Sequence, residues 1–462
     1  MKKKYKIFLI SFPIALVVVY ILLIISPYFG SRHLDASFVS NFSTDEFYSD
    51  SLSGEKVVML DDGKKAFDYR MQLIEDAQNE ILLCSYDFYI DNTGSAVLGA
   101  LVNKAKQGIK VSLILDGKTF ASNKKYIRFI SSYPNMEIYL FNPYNFFAPH
   151  LTNMAMHDKF MVVDDNAFIL GGRNVGDKYY SYPYLKSKYS LDREVLVLTE
   201  DNVGAIADVK GYFKEIISSK YTKKMNNGKL GEKKRAKIEK ELLSAYDNFM
   251  ATYQRKNIAL EGIPVNKITL VHNPLEHLNK EPRLAYTLYR LASESGKTFI
   301  QTPYTTLTNK DKKIFNNLCK NTDVTMLTNS IATSPNFFGY SCYYNERKSY
   351  LNSGLKIYEF QSENQSIHAK SMFFGDSLSM IGSFNLDERS IRINTESVLI
   401  IDSEEFFGDN MNLISSYTSR SNRVGGNNKY IDDGVPTSHA SFFKKAFFRM
   451  MGVILQPIKM LL

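Results

Sequence analysis

Short apolar runs alternate with helically spaced apolar residues along most of this chain. Residues 57–60 predict a strand, and Phe67, Met71 and Ile74 then recur at the spacing of a helix face. Residues 81–86 predict the next strand, and Val97, Leu101 and Ala105 the next helix, which Gly108 stops. Strands follow at 111–115, 138–141, 160–163, 167–170 and 195–198. The rhythm then repeats. Leu284, Leu288 and Leu291 mark a helix ending near Gly296, followed by a strand at 299–302, a helix at 310–319 and a strand at 324–327. Strands at 372–374, 378–381 and 397–400 complete the second series. Strand–helix alternation supplied twice predicts an α/β protein built from two α/β sandwich halves, at 45–220 and 263–414.

The segments outside that rhythm predict other roles. Residues 221–262 are charged, with Glu232, Glu239 and Glu241 set among lysines and arginines, which reads as a solvated helical insert. Residues 415–437 are rich in Ser, Asn, Gly and Arg and read as a linker. At the start, Lys2, Lys3, Lys4 and Lys6 precede an apolar run at 7–25 broken only by Ser11 and Pro13. Residues 1–30 thus predict a single membrane anchor, with its N-terminus cytoplasmic and the rest of the chain outside. A cleaved signal peptide is the competing reading. Residues 438–462 predict an amphipathic helix. Phe443, Phe447, Met450, Met451 and Ile454 share a face that excludes Lys444, Lys445 and Arg449. That face suits either a lipid interface or docking on the protein's own core.

Lys and Arg outnumber Asp and Glu, giving a formal net charge of +9, which favours anionic partners without choosing among them. Cys84, Cys319 and Cys342 are too few and too scattered for a zinc site or a disulfide framework. Cys84 reads as a core residue, and a Cys319–Cys342 bond is one option in an oxidising compartment.

The candidate chemistry is also duplicated. His157-Asp158-Lys159 precedes Gly171-Gly172-Arg173-Asn174, and His368-Ala369-Lys370 precedes Gly382-Ser383-Phe384-Asn385. Asn174 follows His157 by seventeen residues, and Asn385 follows His368 by the same interval. Glu194 and Glu396 each head an apolar run further on. In His-x-Lys both side chains fall on one face of a strand. Small residues in the returning loop, Gly172 and Ser383 among them, let backbone N–H groups approach a phosphate.

Two histidines of opposite protonation state suit attack on a phosphodiester, one as nucleophile and one as general acid. Lys159, Lys370, Asn174 and Asn385 would hold the phosphate oxygens, so no metal or cofactor is required. Glu194 and Glu396 would orient the histidines, Glu194 being preferred over Asp192 because it pairs with Glu396. Arg173 and Arg389 would bind head groups, or pair with acids in the sheets. The aromatic residues Tyr139, Phe141, Tyr144, Phe146 and Phe147 would line an acyl-chain entrance, or serve as core and loop anchors. A duplication that has lost its activity is the alternative for the whole constellation.

Paired His-x-Lys-x4-Asp motifs resemble the phospholipase D superfamily. His157, Lys159 and Asp164 match, whereas the second copy has Gly375 at the Asp position and an acid one residue later, at Asp376. Asp165 stands at the place corresponding to Asp376 in the first copy. The stretch from Ile381-Gly382-Ser383-Phe384-Asn385 through Arg389 to Glu396 is similar to the bacterial cardiolipin synthase branch. The resemblance implies two phospholipase D-like halves in one bilobal unit with a shared cleft, His157 as nucleophile and His368 as general acid. It further implies a phosphatidyltransferase of the bacterial cell membrane, with phospholipid substrates and no nucleic acid partner. A phospholipase D or nuclease of the same fold, and a non-catalytic lipid-binding protein, are the other readings.

Overall fold

A computed structural model describes residues 2–30, 32–180, 189–200, 204–226, 230–431 and 434–462, with side chains from Ser11 onward. The lysine side chains at 2, 3, 4 and 6 therefore lie outside the described side chains, as do Asn227 and Gly228 of the insert. Two large sheets carry the fold. In spatial order the first runs Lys56–Leu60, Glu194–Leu198, Ala167–Gly171, Lys159–Val163, Glu80–Ser85, Lys110–Asp116, Met136–Phe141 and Thr222–Lys224, with Ile263–Pro264 added at the outer edge. The second runs Lys267–His272, Ser397–Asp402, Leu378–Gly382, Ser371–Phe374, Lys297–Gln301, Asp323–Asn329, Lys356–Phe360 and Ser421–Arg423. Eight strands correspond one to one, in the same order and with the same parallel or antiparallel sense.

The strands that follow the two histidines, Lys159–Val163 and Ser371–Phe374, are buried throughout, because each sheet is covered on both faces. Outer helices such as Gly63–Asp76 and Asn92–Lys106 cover the first sheet, and Arg283–Ser295 and Phe337–Asn352 cover the second. Between the sheets lies a shared apolar layer, with Leu82, Phe160 and Val195 from one half and Ile381, Leu399 and Ile401 from the other. All three cysteines are buried and free.

Three segments differ from the sequence reading. The insert is helical at Glu232–Met250 but not simply solvated: it packs along Asn92–Lys106 and buries Ile238, Leu242 and Phe249 in the first core. Its low apolar content hid that narrow stripe. Residues 415–423 are not part of a linker. They finish the helix Glu404–Thr418 and supply the edge strand Ser421–Arg423, the counterpart of Thr222–Lys224. Polar residues are the usual composition of an edge strand, which explains the misreading. The C-terminal helix Phe442–Ile454 docks one face on Phe337–Asn352 and leaves another apolar face exposed.

Strand register settles which residues of the two halves correspond. Gly171 lies opposite Glu194, and Gly382 lies opposite Val398. The counterpart of Glu194 is therefore Val398, and the counterpart of Glu396 is Asp192, two residues before Glu194. Likewise Arg173 corresponds to Phe384. Glu194 is fully buried and accepts from Arg70 at 2.7 Å and from Arg173 at 3.2 Å. The ion pair of the first half thus occupies the place of an apolar Phe384–Val398 pair in the second, where both residues belong to the core.

Removing Glu194 would leave two buried guanidinium groups without their counter-charge. Glu194→Ala is expected to cost about 3–5 kcal/mol of stability, the range for breaking a buried ion pair from one side. Asp376→Ala, in an exposed turn, is expected to change stability by less than about 0.5 kcal/mol. Unfolding in detergent checks this, and equal stability of the two variants would refute the assigned role of Glu194.

Candidate active site

The strand ends that face one another between the halves build the site. His157 stands just before the strand Lys159–Val163, where its backbone N–H donates to Thr395 O at 3.2 Å. Thr395 N–H in turn donates to Ala155 O at 2.9 Å, so the chain before His157 is bonded to the residue before Glu396. The second half repeats this in mirror order. Gln365–Ile367 pairs with Tyr189–Leu191, and His368 N–H donates to Leu191 O at 2.7 Å. Each histidine is therefore held beside the acid-bearing strand of the opposite half.

The side chains follow the backbone. His157 Nδ1 lies 2.9 Å from the Glu396 carboxylate, and His368 Nδ1 lies 2.5 Å from Asp192 Oδ2. Asp192, not Glu194, is the partner of His368. The shared identity of Glu194 and Glu396 points to the wrong residue, whereas sheet register points to Asp192. Glu396 is held by Ser383 Oγ at 2.5 Å and Ser390 Oγ at 2.7 Å. Ser383 is thus spent on orienting Glu396 rather than on substrate. At the equivalent place in the first half, a Cβ on Gly172 would lie 2.5 Å from Asp192 Oδ1 and 3.1 Å from Lys370 Cδ. Glycine there leaves room for Asp192 and for the lysine of the other half.

His157 and His368 open onto one cleft of about 530 Å3, lined also by Asn174, Asn385, Arg389, Tyr86 and Tyr179. Two larger hollows, of about 890 and 710 Å3, lie away from both histidines. Lys159 and Lys370 each turn back to the carbonyl of their own histidine, and Lys370 Nζ lies within 3.2 Å of both ring nitrogens of His368. Asn174 Nδ2 donates to Tyr179 OH at 3.0 Å, while Asn385 Oδ1 is buried without a hydrogen-bond partner among the described residues. Tyr86 and Tyr179 present their rings edge-on to His157 and His368, at 4.9 and 5.2 Å. Neither tyrosine carries a sequence signal beyond lying near a strand end or a motif. Ser390 had one, its place within the Ile381–Glu396 stretch.

Other residues lie elsewhere. Arg173 is almost fully buried and donates to Glu194 and to the carbonyls of Leu60, Asp61, Asp192 and Tyr179, so it supports the site from behind and does not reach the cleft. Asp164 sits beyond the far end of its strand, at φ +51°, and accepts from the backbone N–H of Gln78, Asn79 and Glu80 at 2.7–2.9 Å. Gly375 takes the equivalent place at φ +61°, donating to Lys297 O as Asp164 donates to Glu80 O. The position needs a left-handed backbone, which glycine adopts at no cost. Asp376 is exposed in that turn, so neither aspartate enters the chemistry.

Burial governs the protonation of the pair. It pulls His157 well below the ordinary imidazole value, with Lys159, Lys370 and His368 adding to the effect. Burial and Lys370 lower His368 to about 4, against the opposing pull of Asp192. The two acids diverge. Burial pushes Glu396 up to about 7. Burial would raise Asp192 too, but His368, Lys370 and Arg173 together outweigh it and hold its carboxyl well below the usual range. Burial also brings Lys370 down to about 8. His368 therefore has the firmer anionic partner and is the easier of the two histidines to protonate, while His157 is kept neutral.

The sequence profile of the family described as cardiolipin synthase, PLD-like domain, matches residues 71–217 and 290–416, one segment in each half. Cardiolipin synthase C of Escherichia coli (strain K12) is 26% identical over 388 residues, 75% of this chain and 81% of that protein. An uncharacterized protein of Helicobacter pylori (strain J99) is 27% identical over 395 residues, 75% of this chain and 76% of its own length. Among solved structures, the phosphatidylserine synthase of Haemophilus influenzae Rd KW20 superposes with a TM-score of 0.62 at 13% identity, covering 88% of this chain and 95% of that one, a likeness of fold. With a duplicated motif, a duplicated sheet and a family profile matched in both halves, the chain belongs to the cardiolipin synthase, phospholipase D-like domain family and is an enzyme of the phospholipase D type, a phosphatidyltransferase or phosphodiesterase.

Proposed function

We propose that this enzyme is a membrane-anchored phosphatidyltransferase that makes cardiolipin or a related phospholipid through a phosphohistidine intermediate. The observation that carries the reading is the crossed pair of histidine–carboxylate contacts on one cleft, 2.9 Å for His157 with Glu396 and 2.5 Å for His368 with Asp192. Neutral His157, its Nδ1–H donated to Glu396, has Nε2 free to attack phosphorus. The P–N bond forms as the bond to the leaving alkoxide breaks, and protonated His368 gives its Nε2 proton to that oxygen. Neutral His368 then takes the proton of an acceptor hydroxyl. The acceptor oxygen attacks phosphorus, and His157 departs unchanged. Lys159, Lys370, Asn174 and Asn385 stabilise the phosphate oxygens as charge builds. Asn385 Oδ1, buried and without a partner among the described residues, is suited to the acceptor hydroxyl or to a lipid group.

Arrival of a phosphodiester adds a further negative charge beside both histidines and raises His368 toward protonation. Kinship with cardiolipin synthases supports a lipid alcohol as the acceptor. The segment Ser11–Tyr28, in a helix long and apolar enough to cross a membrane and exposed along most of its length, supports the anchor. The lysines before it favour a cytoplasmic N-terminus and an extracytoplasmic catalytic part.

Incubating the detergent-solubilised protein with labelled phosphatidylglycerol and phosphatidylethanolamine, then analysing lipids by mass spectrometry, is expected to yield cardiolipin. Phosphatidic acid alone would make it a hydrolase, and no turnover would leave a lipid-binding protein. With a p-nitrophenyl phosphodiester and an acid-free quench, peptide mass spectrometry is expected to find the phosphoryl group, still carrying its second ester, on His157. His157→Ala should abolish that adduct, while His368→Ala should retain some of it. An adduct on His368 in the unsubstituted protein would reverse the two roles.

Asp192 supports the imidazolium of His368, so Asp192→Asn removes a charge that raises its pKa. The alkaline limb of kcat, set by loss of the His368 proton in the complex, is then expected to move to lower pH. The rate should fall by about 10^2–10^4-fold, the usual worth of a general acid. A folded Asp192→Asn enzyme with an unmoved alkaline limb would remove Asp192 from this role.

A further inference from the structure

Two groups of exposed apolar residues, Phe146–Phe147 and the outer face of the C-terminal helix, adjoin segments that reach the cleft. In the C-terminal helix, Phe448 and Gly452 face the protein. A Cβ on Gly452 would meet Ser341 O at 2.3 Å, and Phe448 packs on Phe337 with ring centroids 4.8 Å apart. The opposite face is also apolar. Phe443 is 82% exposed, and Phe447, Met450 and Ile454, spaced at one helical turn from it, are about half exposed, with Phe442 and Val453 on the flank. Lys445 and Arg449 border this face and are exposed as well. Docking on the core therefore accounts for one side of the helix and leaves the other uncovered.

That uncovered side is continuous with the cleft and with the N-terminal helix. Phe447 stacks on Phe337, which lines the cleft beside Phe338. Arg389, also in the cleft, donates to Leu461 O at 3.2 Å and to Asn153 O at 2.7 Å, joining the C-terminal tail to the loop before His157. Asn153 Nδ2 donates to Ile24 O at 3.3 Å, and Phe146 of the same loop stacks on Tyr20 at 5.3 Å. Tyr20 lies five residues before the helix ends at Ile25. At a rise of 1.5 Å per residue, the Phe146 ring therefore sits about 7.5 Å back along the helix from its end. An exposed phenylalanine at that depth, with Phe147 beside it, belongs in the interfacial zone of the bilayer that the helix enters.

We infer that the outer face of the helix Phe442–Ile454 lies in the surface of the same membrane and, with the Phe146–Phe147 loop, seats the mouth of the catalytic cleft on the lipid. This rests on the N-terminal helix being a membrane span. The occupant is an anionic bilayer surface: the face is apolar at its centre, bordered by Lys445 and Arg449, and continuous with the span through Asn153 and Arg389. A lipid substrate then presents its phosphate to His157 while its acyl chains stay in the bilayer.

The chain contains no tryptophan, so one introduced residue is a unique fluorophore. The full-length protein is reconstituted into vesicles of phosphatidylglycerol and phosphatidylcholine, with and without bromine on the acyl chains. Val17→Trp reports the span. Phe443→Trp reports the C-terminal helix. Leu260→Trp is the control: Leu260 is exposed, two residues before Gly262, which adjoins Lys56 at the end of the first sheet away from the cleft. Quenching of Val17→Trp and Phe443→Trp by brominated lipid, with Leu260→Trp unaffected, is the expected result. Quenching of Val17→Trp without Phe443→Trp would overturn the inference while leaving the anchor. A blue-shifted but unquenched Phe443→Trp would also overturn it, because the face would then be covered by a second copy of the chain. No quenching at either position would remove both. Phe443→Asp is further expected to lower turnover of vesicle lipid about tenfold while sparing a soluble phosphodiester, since it weakens interfacial seating and leaves the site intact. Equal loss on both substrates would count against the seating.

Discussion

The site depends on two contacts that cross the molecule. Glu396 of the second half holds His157 of the first, and Asp192 of the first holds His368 of the second. Neither half contains a complete histidine–carboxylate pair, so a functioning centre requires both sheets in register against each other. Backbone bonds enforce that register. Thr395 is bonded on both sides of Met156, to Ala155 and to His157, and Leu191 accepts from His368 and Ala369. The glycine at 172 and the shared apolar layer allow the approach. A duplicated fold here means mutual completion rather than two independent sites.

Symmetry of the backbone does not carry over to the charges. Behind the first half's motif lies a buried Arg70–Glu194–Arg173 cluster, and behind the second lies Phe384 against Val398. Arg173 is one of the groups that keep Asp192 ionised, whereas Glu396 has hydroxyl donors from Ser383 and Ser390 and is pushed up by burial. Two histidines in similar geometry thus meet unlike partners. The proposed separation of acid and nucleophile would follow from that difference in environment, as it does wherever paired titratable groups must take opposite roles.

Much of this was legible in the sequence because its signals are local. Strand and helix periods, the seventeen-residue intervals and the long apolar N-terminal run all depend on neighbours in the chain. The partner of His368 does not. Glu194 and Glu396 look equivalent as letters, yet a shift of two along a strand keeps the same face and changes the neighbour across the sheet. Only the pairing of Gly171 with Glu194, against Gly382 with Val398, distinguishes them. The turn after each motif is a second case. Asp164 and Gly375 differ chemically but share a left-handed backbone, so the missing motif aspartate is a conformational substitution and not a lost catalyst. Edge strands such as Ser421–Arg423 were illegible for a simpler reason, since they are polar and short.

The apolar layer between the sheets also sets the order of events in synthesis. His157 precedes His368 by roughly 200 residues, and at about 5–20 residues per second that interval takes on the order of ten to forty seconds. Throughout it the inner face of the first sheet, with Phe160, Leu170 and Val195, has only the helix Ala205–Ser218 of its own half to cover it, and the surface that later meets Ile381, Leu399 and Ile401 stays open. Long-range pairing of this kind is slow to form and prone to association while it waits. Lodged in a membrane as proposed, the apolar N-terminal helix would hold each nascent chain apart from its neighbours during the wait and so act as its first safeguard against misassembly.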